Sequence, residues 1–108
     1  MRFSAPKKQL GENPETWLRR AGYTYLPGRD GQPDNFARRL TRDFYPRFHV
    51  YFTVAGQGAQ EIVTFNLHLD QKRPGYEGQN RHNAEYEGEL VEREGERLKS
   101  LMLPDFFI

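Results

Sequence analysis

An α+β fold is expected, a two-layer sandwich in which an antiparallel four-stranded meander carries an N-terminal and a C-terminal helix on one face (α-β-β-β-β-α). Three features of the sequence predict it. Residues 47–70 read as one β-hairpin: Phe48, Val50, Phe52 and Val54 alternate with His49, Tyr51 and Thr53. In the second arm Val63, Phe65, Leu67 and Leu69 alternate with Thr64, Asn66, His68 and Asp70. Successive strand side chains point to opposite faces, so each arm has one apolar and one polar face. Asn13 to Gly22 carries helix punctuation, and Leu90, Val91, Leu98, Leu101 and Met102 recur at helical spacing near the carboxyl end.

Taken in order, residues 1–12 are polar and are expected to be extended or loose. Asn13 then suits a cap, Pro14 the first helical position and Glu15 the positive end of the dipole. Gly22 sits where the chain leaves the helix through a left-handed residue. A short strand over Tyr23-Thr24-Tyr25-Leu26 precedes a Gly, Pro and Asp-rich loop from Pro27 to Asp34. Asn35 to Thr41 reads as the second strand, with Arg38 on its apolar side in need of solvent or a carboxylate. Residues 42–46 reverse the chain into the central hairpin, where Gly56 and Gly58 tolerate the positive φ of a turn.

Two hairpin registers keep the apolar face intact. One pairs Phe52 with Val63 and His49 with Asn66; the other pairs Phe52 with Phe65, His49 with His68 and Arg47 with Asp70. Residues 71–87 then form a long loop, which in a compact domain points to function or disorder. The last helix is expected from Glu89 to Met102, with Gly95 allowing close approach to the sheet, and with Glu94 either paired with Arg97 at the surface, the preferred reading, or a partly buried acid with a raised pKa. The apolar tail Phe106-Phe107-Ile108 should dock on the domain or on a protein partner.

At 108 residues the chain is expected to be one domain, 1–108, large enough to bury a core. With 36% hydrophobic but 14% aromatic residues, that core should be built around Phe and Tyr. The absence of cysteine removes disulfides, thiolate metal sites and thiol nucleophiles. No run of apolar residues suits a membrane span, and the first ten residues lack a signal-peptide core, so a soluble, cytoplasmic protein without a membrane partner is expected. Residues 1–48 hold ten Lys/Arg against five Asp/Glu, a net of +5, while residues 49–108 hold six against ten, a net of −4. Either the halves attract one another, or the basic half steers towards an anionic partner.

Chemically capable side chains gather on the polar face of the hairpin: His49, Tyr51, Asn66, His68 and Asp70. His49, His68, Asp70 and His82 are candidate ligands for a divalent metal, since imidazole and carboxylate suit zinc. No tight motif such as H-E-x-x-H accompanies them, and hydrogen-bonded histidines are the alternative reading. Asp70-Gln71-Lys72 resembles the acid-x-lysine step of the restriction-endonuclease-like metal nucleases, which implies a metal-holding carboxylate at Asp70 and a water-activating role for Lys72. No second acid stands on the preceding arm, where His49, Tyr51 and Thr53 lie.

The helix–strands–helix order and the L-R-R-A-G-Y step are similar to the double-stranded-RNA-binding domains and to the HicA-type RNA-cleaving toxins. The toxins' Gly-Ser-His has no counterpart near Gly28 to Asp34, and Glu85, Glu87 and Glu89 replace the lysines that open the RNA-binding family's last helix. No nucleophile–base constellation or phosphate-cradling loop is evident, and no cofactor is implied. The expectation is a binding module rather than an enzyme. Arg38, Arg39, Arg42 and Arg47 with Tyr45 and Tyr51 would hold RNA or single-stranded DNA, together with His49, Asn66, His68, Asp70 and Lys72. A protein-interaction module is the alternative, and a metal-dependent hydrolase using His49, His68 and Asp70 a further one.

Overall fold

The computed structural model describes residues 1–71, 84–85 and 88–104. Its sheet contains the expected meander, β2 (Thr24–Leu26), β3 (Asn35–Arg39), β4 (Arg47–Ala55) and β5 (Ile62–Asp70), all antiparallel neighbours. A strand was missing from the expectation. Arg2–Pro6 forms β1, which pairs antiparallel with β5 and extends the continuous path of the sheet to five strands, ordered β1-β5-β4-β3-β2. The segment expected to be extended or loose is an ordered edge strand followed by a turn of 3-10 helix at Lys7–Leu10. Only Phe3 and Ala5 mark its inner face, too few to signal alternation, yet β5 would otherwise leave a ladder of backbone groups unpaired. A two-residue strand, β6 (Ala84–Glu85), pairs with the far end of β5.

The β4–β5 pair adopts the second of the two registers: Phe52 faces Phe65, His49 faces His68 and Arg47 faces Asp70. Its connection is longer than a two-residue turn and holds a turn of 3-10 helix at Gly58–Gln60. Gly56, at φ 95°, has no room for a side chain, because a Cβ would lie 2.7 Å from the Gln60 carbonyl oxygen.

Both helices cover the face bearing Phe65. Helix α1 (Pro14–Arg20) starts as its residues dictate: Asn13 Oδ1 accepts the Thr16 amide at 2.8 Å, and Pro14 occupies the first turn. Trp17 and Leu18 are buried, and the Trp17 ring lies 5.2 Å from that of Phe65. Phe3 stacks on Phe65 at the same centroid distance, so Phe65 sits at the centre of an aromatic core. Phe52 and Met102, apolar positions of the hairpin and of the last helix's stripe, pack against it but keep part of their surface exposed.

Helix α2 (Glu89–Ser100) buries Val91, Glu94, Gly95 and Leu98. Gly95 permits the close approach expected of it, since a Cβ there would collide with the Met1 thioether and reach the Leu67 side chain. Two corrections concern this helix. Leu90 and Leu101 are 47% and 46% exposed, because the buried stripe is narrower than the apolar one and centres on Gly95. Glu94 is 4% exposed, the buried acid rather than the surface one, and it gathers the partly exposed guanidinium groups of Arg38 on β3 and Arg97 on α2. It accepts from Tyr23 Oη at 2.6 Å and from Arg97 Nε at 2.7 Å, with Arg38 Nη1 at 3.4 Å. Burial, then the Glu94 charge, pushes the Tyr23 phenol far above its ordinary range.

Candidate functional site

The sheet face opposite the helices carries the odd-numbered residues of β3 and β4 and the even-numbered residues of β5. Asn35 on β3, Arg47, His49 and Tyr51 on β4, and His68 on β5 line an open cleft of about 790 Å³. Its far wall is the β2–β3 loop, through Leu26, Pro27, Arg29, Gln32 and Pro33. That loop is closed by Asp34, whose Oδ1 accepts the Gly28 amide at 2.8 Å. The same bond, with one from Tyr25, holds the Asp34 carboxyl below its ordinary pKa.

On the cleft floor the register brings His49 and His68 into direct contact, Nδ1 to Nε2 at 2.8 Å. His49 Nε2 lies 2.5 Å from Asn35 Oδ1, and Asn35 Nδ2 donates to the Pro33 carbonyl at 3.4 Å. An amide oxygen can only accept, so the His49 proton sits on Nε2. Its Nδ1 then accepts, and His68 Nε2–H is the donor between the rings. Asp70 completes the cluster, with Oδ1 3.2 Å from His68 Nε2 and Oδ2 3.5 Å from His49 Nδ1.

The electrostatics follow from this packing. Burial, and next the neighbouring His68, lowers the His49 pKa to about 4, against the pull of Asp70. His49 is therefore a neutral imidazole at pH 7. Burial alone would push the Asp70 carboxyl up, but the His68 hydrogen bond and the charges of His68, His49 and Arg47 bring it below its ordinary value. Arg47 Nε stands 3.7 Å from Asp70 Oδ2, beyond hydrogen-bond length, and its guanidinium lies 4.7 Å from the Tyr45 ring centroid.

The residues expected on one basic, aromatic surface are thus divided. Arg39 and Arg47 are directly opposed on neighbouring strands of the helix-free face, and the Arg39 guanidinium covers the Phe44 ring at 4.1 Å. Arg42 is exposed in the following turn and Tyr45 is half-buried beside Arg47. Asn66 pairs with Tyr51 on the same face. Arg38 does not join them; it is on the core face, bound to Glu94. Lys72 and His82, and the tail Phe106-Phe107-Ile108, lie outside the described residues. Sequence reasoning missed Asn35 and Arg29. Asn35 could have been found only by aligning β3 with β4, which places it one position beyond the Phe36–Val50 pair, on the His49 side.

No helix among the described residues is long and apolar enough to cross a membrane. No protein-family model, curated protein or solved structure matches the chain.

Proposed function

We propose that the protein is a small binding module that takes single-stranded nucleic acid on the helix-free face of its sheet. The observation that carries this reading is the pairing of Arg39 with Arg47, each stacked on an aromatic ring, beside a cleft that holds Tyr51 and Arg29. Like charges directly opposed across a strand pair destabilise it, and Asp70, 3.7 Å from Arg47 Nε, offsets only the Arg47 side. An anionic ligand reverses that penalty, and guanidinium groups held over rings are well placed for phosphate. The cleft falls within the roughly 300–1,000 Å³ range of ligand pockets and suits one unstacked nucleotide, with Tyr51 as its stacking surface. Duplex suits it less well, because its bases are not free to enter.

The test is a fluorescence anisotropy titration of labelled single-stranded and duplex oligonucleotides. Tighter binding of the single strand, weakened more than duplex binding by Tyr51→Ala, supports the reading. No binding by about 100 μM at low salt rejects it, since non-specific binders reach that range even at physiological salt.

A further inference from the structure

We propose that His49, His68 and Asp70 form a zinc site whose remaining coordination position opens into the cleft. The three side chains place one candidate ligand atom each within 4.8 Å of one another. Two ligands each 2.0–2.1 Å from a tetrahedral zinc stand about 3.3–3.4 Å apart. The observed separations are near that edge: 2.8 Å between the imidazoles, 3.2 Å from His68 Nε2 to Asp70 Oδ1 and 3.5 Å from His49 Nδ1 to the other carboxylate oxygen, Oδ2. Tetrahedral geometry asks the imidazole pair to open by about half an ångström, the Asp70 carboxylate to turn one oxygen towards both rings, and His68 Nε2 to give up its proton for the metal.

The surroundings match what ligating groups need. A zinc-bound imidazole donates its other N–H to an oxygen, which fixes the tautomer and the ring plane. His49 already does this, with Nε2 held by Asn35 Oδ1 and Nδ1 turned to the cluster. Asp70 has two oxygens to divide: Oδ1 lies nearest His68, while Oδ2 faces Arg47. The side chains are 21%, 8% and 14% exposed for His49, His68 and Asp70, so the cluster is largely shielded yet opens at His49 and His68 into the cleft. Three protein ligands and one open position is the arrangement of zinc centres that bind exchangeable ligands, and two imidazoles select zinc over magnesium or calcium. An oxyanion entering the cleft would meet the metal on its floor and Arg29 and Arg47 on its walls. The inference goes beyond the nucleic-acid reading and does not depend on it.

The experiment titrates the metal-free full chain with Zn²⁺, and separately with Mg²⁺, following heat of binding and the imidazole ¹H–¹⁵N resonances. One saturable equivalent of zinc that moves the His49 and His68 signals, with no response to magnesium, supports the site. Asn35→Ala should then weaken zinc binding by about 10–100-fold, and His49→Gln and Asp70→Asn should each weaken it at least as much. The wild-type resonances decide the matter even if a variant fails to fold. Unmoved His49 and His68 signals at submillimolar zinc would overturn the proposal, as would binding that moves only His82 or survives His49→Gln.

Discussion

Tyr23, on the segment entering β2, donates its hydroxyl proton to Glu94 of α2 at 2.6 Å, and both residues are buried. The bond ties the N-terminal half to the last helix at a point where Arg97 also reaches the Ala21 carbonyl. Because the folded-state pKa of Tyr23 is raised above its unfolded value, the phenol contributes stability that is fully present below about pH 10 and lost as pH rises further. While Tyr23 stays protonated in the fold, that loss should be about 1.4 kcal/mol per pH unit. Denaturant melts of wild type and Tyr23→Phe between pH 9 and pH 11 should show a steeper fall for wild type; parallel curves would place this phenol in contact with water.

Glu94 should be expensive to remove. Glu94→Ala leaves Tyr23 and two guanidinium groups without their acceptor, and a loss of about 2–3 kcal/mol is expected. Arg38 and Arg97 are each about a third exposed, so both can recover water, which keeps the effect below that of a fully buried pair. Urea unfolding at neutral pH measures it, and a neutral substitution would return Glu94 to the role of a surface acid.

Phe65 is fully buried at the centre of the aromatic core, whereas its cross-strand partner Phe52 is partly exposed. Phe65→Ala should therefore cost about 3–5 kcal/mol, enough to threaten a domain of this size, and Phe52→Ala distinctly less. Equal losses would mean that Phe52 is as enclosed as its partner.

The edge strand β1 supplies a sharper test of the fold. Phe3→Ala removes a ring stacked on Phe65 and should destabilise by about 3 kcal/mol. Amides of β5 that pair with β1 should exchange slowly in wild type and faster in the variant. A loose N-terminal segment would show neither effect.

These residues also mark where the sequence was legible. The β4–β5 hairpin and the first helix rest on local signals, alternation and capping, and appear where those signals put them. The choice between two registers was not local: each kept the apolar face whole, and only pairing along all of both strands sets His49 against His68. β1 was invisible because two apolar residues cannot outweigh polar neighbours, while its reason for existing lies sixty residues away on β5. The polar face was readable as a cluster of residue types. Its cleft was not, because the β2–β3 loop that walls it and the Asn35 that orients His49 come from strands whose alignment the sequence leaves open.

The central claim is that the helix-free face, not basic charge in general, binds the polymer. The salt dependence of single-strand binding tests it most directly, because each lost phosphate contact lowers the slope of log K against log[salt] by a little under one unit. Arg39 is exposed on the helix-free face, whereas Arg93 is exposed on α2, across the sheet. Arg39→Ala should flatten the single-strand slope by about 0.7 while Arg93→Ala leaves it unchanged. Equal slopes for both variants and wild type, or a loss shared equally by Arg93→Ala, would contradict the account.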